Sequence, residues 1–313
     1  MFRPAHDGAG QPVEDPAWKR SESASPCRGP EHGQRWVAEV PSTSFRLPLM
    51  STLHRTRTVA LCAAALLSPA GLAAQDARSS ALPWPPVATF SILGHDSTTG
   101  EVGGAVQSRV FSVGNGVLWA KAGVGVAATQ AIVDVSYGPK ALELLGLGYA
   151  PEVVVRTILD GDPDPDPERW TKEGRQFSVM DARGNVATHT GPKATAWAGH
   201  RIGLHVSAQG NILAGPQVVE EMVRAFNETE GHLSFRLLAA LEAGQAAGGD
   251  TRGMQSAAML IVKEDGGVWL NNDVVLRLQV DDAPAPIAEL RRLVELAAQQ
   301  RTRIQSQRRG SGG

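Results

Sequence analysis

The sequence predicts an α+β fold in which antiparallel sheets carry segregated helices. Three observations lead there. Short alternating strands recur as hairpins rather than as βαβ units. Helical stretches fall in groups between them. Aromatics make up only 5% of a chain with 34 glycines, so the core must come from Ala, Val, Leu and Ile on closely approaching backbones. At 313 residues there is material for one large domain or two small ones.

The elements follow in order. "TFSILGHD" (89–96) and "EVGGAVQSR" (101–109) are strands joined by a turn at Thr98-Thr99-Gly100. "GVLWAKAGVGVAATQA" (116–131) is apolar and Gly-rich, giving one or two further strands. "YGPKALELLGLG" and "APEVVVRTILDGD" are short helices with Pro139 and Pro151 near their starts and glycines at their ends. "DPDPDPERW" (162–170) alternates Asp with Pro, which bars regular structure. It reads as an exposed connector, since the EF-hand pattern of a calcium loop is missing. "RQFSVMDARGNVATHTG" is a hairpin turning at "DARGN", and "AWAGHRIG" and "LHVSAQGNILAG" continue the sheet. "PQVVEEMVRAFNETEG" and "HLSFRLLAALEAGQAAGGD" are helices, the second with Leu237, Leu238 and Leu241 on one face. Two strands, "MQSAAMLIVKE" and "NDVVLRLQVDD", and a last helix, "PIAELRRLVELAAQQR", complete the pattern.

The N-terminal part reads differently. Residues 1–49 are rich in Pro, Gly, Ser, Arg and Glu without periodicity, as expected of disorder and of a gene-model extension ahead of a start at Met50. Residues 50–74 have the layout of a secretory signal peptide: basic His54, Arg55 and Arg57, an apolar run from Val59, and small residues at Ala73 and Ala74. The run spans about 16 residues and contains Pro69, short of the roughly 20 that cross a bilayer. The expectation is a periplasmic or secreted protein with no membrane anchor after cleavage. Residues 75–87 read as an extended leader, 88–300 as the folded domain and 301–313 as a disordered tail. The two cysteines, Cys27 and Cys62, precede that domain, so it has no disulfide and no cysteine metal site.

Charge excludes some functions. Thirty Lys and Arg stand against 32 Asp and Glu, which gives no electrostatic case for nucleic acid or an anionic membrane surface. The expected ligand is a small molecule or peptide, with no cofactor. The Gly-rich apolar strands also suit burial in a homo-oligomer.

The candidate chemistry centres on Thr89. A threonine hydroxyl is a weak nucleophile, and a free α-amine of pKa near 7.7–8.0 on the same residue would serve as its base. Ala88 and the leader precede it, so exposure requires a cut at Ala88–Thr89, by self-processing or by another protease. Without that cut Thr89 is a strand threonine. Lys121, in an apolar run, is the candidate charge to lower the amine or hydroxyl pKa, against a snorkelling edge-strand lysine. Gln209, Gly210 and Asn211 end a strand; Asn211 is the candidate oxyanion donor and the other two candidate substrate contacts, against an ordinary Gly-Asn turn. "GGDTRGMQS" offers Arg252 to a substrate carboxylate, with Gln255 and Ser256 beside it, against a helix cap and turn. His95, His189, His200 and His205 lie near strand ends with Asp96 and Asp181, but none has a helical metal-ligand spacing, so no metal is expected.

Taken together, "TFSILGHDSTTGEVGGAVQSR", "WAKAGVGVAATQA", "YGPKALELL", "VMDARGNVATHTG", "WAGH", "QGNILAG" and "LLAALEAGQAAGGDTRGMQSAAML" resemble the DUF1028 proteins over roughly residues 88–296. The resemblance implies an αββα Ntn-hydrolase-like sandwich of two antiparallel sheets between helix layers. It carries no defined substrate. The interval from Thr89 to Lys121 is similar to that between threonine and lysine in proteasome-type Ntn-hydrolases. Family members often begin Met-Thr-Phe-Ser, so Ala88 and the leader are a departure. Two functions are expected from different classes: an exported Ntn-type amidohydrolase acting through Thr89, or a catalytically silent envelope protein binding a small molecule or peptide.

Overall fold

A computed structural model describes Val87 and residues 89–310. The expected gene-model extension (1–49), the expected signal peptide (50–74), most of the expected leader and both cysteines lie outside the described residues. The strands are β1 (Thr89–Asp96), β2 (Glu101–Ser108), β3 (Leu118–Lys121), β4 (Gly125–Ala131), β5 (Arg175–Asp181), β6 (Val186–Thr190), β7 (Gly199–Gly203), β8 (Val206–Gly210), β9 (Ser256–Val262) and β10 (Val274–Val280). The α-helices are α1 (Tyr137–Gly146), α2 (Pro151–Asp160), α3 (Gln217–Glu228), α4 (Leu233–Ala246) and α5 (Pro286–Gly310). Among the described residues no helix is long and apolar enough to cross a membrane.

The strands form two antiparallel sheets. One has the order β10-β9-β2-β1-β8-β7 and the other β3-β4-β5-β6. Strand periodicity divides their side chains into layers. Phe90 and Ile92 of β1 join Val206 and Ala208 of β8 beneath α3, α4 and α5. Leu93 of β1, with Val102 and Val106 of β2, meets Leu118, Val126 and Met180 between the sheets. Ala127, Phe177 and Val179 lie on the outer face of the smaller sheet under α1 and α2. The result is an α+β sandwich of two sheets between helix layers. Phe90, Ile92, Leu237 and Leu238 are all fully buried, each contributing roughly 1.5–3 kcal/mol by leaving water.

Two details depart from the sequence reading. The Asp-Pro segment is irregular, as its prolines require, yet it is not simply exposed. Asp162 and Trp170 are buried. The Asp162 carboxylate accepts from the Tyr137 hydroxyl at 2.6 Å and from Arg175 Nε at 3.1 Å. Arg175 also donates to the carbonyls of Ile132 and Trp170. Burial alone would push the Asp162 carboxyl up; the Tyr137 hydroxyl, the Asp164 amide and Arg175 outweigh it and hold the group below the usual carboxylate range. Burial and the neighbouring carboxylate push Tyr137 up. The C-terminal region also differs, because α5 continues through the presumed tail to Gly310. Gln and Arg are good helix formers, and no Pro or Gly intervenes between Arg301 and Gly310.

Candidate functional site

Thr89 opens β1, the strand between β2 and β8 in the larger sheet. Its parity with Ser91 and Leu93 turns its side chain toward the smaller sheet. Thr89 is fully buried, and its Oγ1 donates to Ser108 Oγ, directly across the β1–β2 ladder, at 3.1 Å. Asn211 brackets the residue. Its amide donates to the Thr89 carbonyl at 3.0 Å, and its Nδ2 donates to the Val87 carbonyl at 3.3 Å. Val87 in turn forms an antiparallel bridge with Ala131 at the end of β4, with N–O distances of 2.9 and 3.0 Å. Val87 therefore bonds to the smaller sheet at this end of the sandwich. Val87 also lines an apolar cavity of about 130 Å³ with Val110, Val113, Val117 and Val133. Clefts of about 290 and 440 Å³ lie elsewhere, beside β3 and β10 and beside the β5–β6 turn.

Two backbones here are strained. Ala131 has φ +67° and Ile212, next to Asn211, has φ +55°. A left-handed conformation in a β-branched residue is a true outlier and costs on the order of 1–3 kcal/mol. Hydrogen bonds on both sides hold it: the Ile212 amide donates to Thr195 O, and its carbonyl accepts from the Thr251 amide.

The structure gathers most of the residues singled out from the sequence at this end. Gln209 and Gly210 pair with Ser91 and Phe90 of β1. Ser256 lies on β9 in the row of Ser108 and Thr89. The Gln255 amide donates to Ser108 O. Their side chains are already engaged, however. Arg252 makes a two-point ion pair with buried Asp250, at 3.1 and 2.9 Å, so a substrate carboxylate would have to displace a neighbour. Gln255 accepts from Arg109 and donates to Asp282. Ser256 donates to Val110 O and accepts from the Val113 amide.

Lys121 is not part of this group, and its expected tuning role is corrected. It pairs with Gly125, at the start of β4, whereas Val87 bridges Ala131 at its end. Six residues of strand separate the two positions, roughly 20 Å at 3.3 Å per residue. Leu118 and Ala120 pack between the sheets, so alternation turns Lys121 to the other face, where it is exposed.

Similarity to known proteins agrees with this architecture. The profile of a "Family of unknown function (DUF1028)" matches residues 89–290. The chain belongs to the DUF1028 family. A crystal structure of a DUF1028 protein from Silicibacter pomeroyi is 32% identical, with a TM-score of 0.59 over 67% of this chain and 89% of that one. No functionally curated protein matches.

In this DUF1028 chain the residues that sequence reasoning missed form the interior around Thr89. Ser91 Oγ donates to Gln130 Oε1 and accepts from Gln209 Nε2, both at 2.7 Å. Gln209 accepts from Ser207, which contacts Thr188, which contacts Ser178. Gln130 Nε2 donates to Gln176 Oε1 at 2.7 Å and to Thr89 O at 3.3 Å. Gln176 is the hub. Its Oε1 also accepts from Asn211 Nδ2, and its Nε2 reaches Gly210 O at 2.9 Å. Polar residues at inward positions of apolar strands, as in "VAATQA" and "RQFSVMD", were the available signal. Gln176→Leu should lower stability by at least about 2 kcal/mol, because it removes the acceptor of one N–H each of Gln130 and Asn211 and the side-chain donor to the Gly210 carbonyl, all buried. Urea unfolding measures this; a change below about 0.5 kcal/mol would show that water replaces the hub.

Proposed function

We propose that this DUF1028 chain is the precursor of an exported Ntn-type amidohydrolase, with Thr89 as nucleophile once the Ala88–Thr89 peptide bond is hydrolysed. The observation that carries this reading is the bracketing of Thr89 by Asn211, whose side-chain amide holds a leader carbonyl two residues before the threonine. Cutting the chain frees the Thr89 amine to act as base for its own hydroxyl. It also frees Asn211 Nδ2 to donate to a developing oxyanion. The strain at Ala131 and Ile212 supports the reading. So does the start of both β1 and the family match at Thr89.

A second reading has its own observation. The Thr89 hydroxyl donates to Ser108 rather than to a base, as suits a silent protein that binds a small molecule or peptide. The intact mass and N-terminal sequence of the chain recovered from an exporting bacterial host separate the two. A chain beginning at Thr89 is expected. A chain beginning near Gln75 would remove the nucleophile and leave the binding protein.

A further inference from the structure

Cutting the chain at Ala88–Thr89 would empty the place that Val87 holds, and that place suits an extended chain. β3 pairs with β4 no further than Ala128, so Ala131 lies past it on that edge. There Val87 exchanges two backbone hydrogen bonds with Ala131, as one residue of a further antiparallel strand does. Its amide donates to the Ala131 carbonyl at 2.9 Å, and its carbonyl accepts from the Ala131 amide at 3.0 Å. Ala131 is fully buried and fixed at φ +67°. With Val87 gone, both its backbone groups lose that partner inside the protein, where an unmatched group is costly. The apolar cavity of about 130 Å³ beside Val87 has room for a side chain. Val110, Val113, Val117 and Val133 line it and no charged residue does. Phe111 and Val135 line it too and are exposed, so it opens to solvent. The hydroxyl of Ser112, also in its lining, is engaged with Asp281 at 2.6 Å.

We propose that the cut chain binds, in the place of Val87, the acyl part of a peptide-like amide with an aliphatic side chain. That side chain belongs to the residue before the one whose carbonyl is attacked. The inference rests on the proposed cut and names the substrate class that follows from it. The backbone of the aliphatic residue pairs with Ala131, and its side chain enters the valine-lined cavity. The next residue brings its carbonyl toward Thr89. This order copies the leader, in which Val87 and one alanine precede the threonine. Pairing along a strand edge gives affinity whatever the sequence, and the pocket gives selection. A charged side chain there would lose its hydration among valines without gaining a partner. Asn211 Nδ2, released from the Val87 carbonyl, is left for the carbonyl under attack. The leader thus blocks the site until it is cut away, and once excised it is a competitor for the same groove.

All ten strands and five helices lie between Thr89 and Gly310, so a chain beginning at Thr89 keeps every one of them. Such a chain is made as a ubiquitin fusion whose enzymatic removal leaves Thr89 first, and circular dichroism checks each variant. The probe is the leader peptide of residues 79–88, dye-labelled at its N-terminus and followed by fluorescence anisotropy. Saturable binding is expected. The Val87→Asp peptide should bind at least about tenfold more weakly, the factor that burying a valine side chain supplies. Val135→Asp in the chain should weaken binding similarly, whereas Leu204→Asp, an exposed change in the β7–β8 turn, should not. Binding with this pattern but without amide hydrolysis would end the nucleophile's role and keep the groove. No saturable binding, equal binding of the two peptides, or equal loss in Val135→Asp and Leu204→Asp overturns the groove, whether or not the chain hydrolyses amides.

Discussion

Thr89→Ala should abolish amide hydrolysis by the mature DUF1028 chain, lowering turnover by at least about a thousandfold. Thr89→Ser should retain a measurable part. The expectation follows from the placement of the hydroxyl: it is the side chain that follows the proposed cut, it faces the space between the sheets, and Asn211 flanks it. The replacement removes the attacking hydroxyl and the γ-methyl, and with the hydroxyl its bond to Ser108 Oγ. Release of 4-nitroaniline from a panel of acyl anilides, by chain verified to begin at Thr89, is the measurement. A loss below tenfold would take the nucleophile's role away from Thr89. No turnover by a verified chain would favour the binding protein.

The largest stability effect is expected at Asp162. Its replacement by Ala should cost about 3–5 kcal/mol, because the Arg175 guanidinium is left buried without its carboxylate. Both side chains are at most 1% exposed in the pair, so solvent screening offers little relief. The pH dependence has a definite sign. A carboxyl held below its unfolded pKa contributes stability that is complete above the unfolded value, near 3.9, and that is lost as pH falls through the folded value. The stability difference between the native chain and Asp162→Asn should thus be constant above about pH 5 and shrink below about pH 4. Urea unfolding across that range reads it out. A difference below about 1 kcal/mol at neutral pH would show that water enters to solvate Arg175.

Much of the fold was legible because its signals are local. Alternation marked β1 and β2, "DARGN" marked the β5–β6 turn, and prolines marked where α1 and α2 start. Thr89 and Asn211 were legible as candidates, but nothing local in the sequence shows that the Asn211 amide and side chain straddle the start of β1. That contact comes from the β1–β8 register. The expectation for Lys121 failed because a count of residues along the chain says nothing about face. The parity of Leu118 and Ala120 decides that instead. Asp162 was hidden for a related reason: an Asp-Pro alternation describes backbone conformation, whereas its burial depends on Tyr137 and Arg175 arriving from other elements.

The interface between the sheets is held together unevenly. One half is dry aliphatic packing around Leu93, Val106, Leu118 and Val126. The other, around Thr89, is a lattice of hydroxyls and amides. Hydrophobic contact gives the first half an adhesion that hydrogen-bond exchange with water does not undo. In the second half each bond is exchanged for one with water on opening, so it contributes about 0.5–1.5 kcal/mol net. Thr89 is fully enclosed, so any visitor reaches it only when its surroundings open locally.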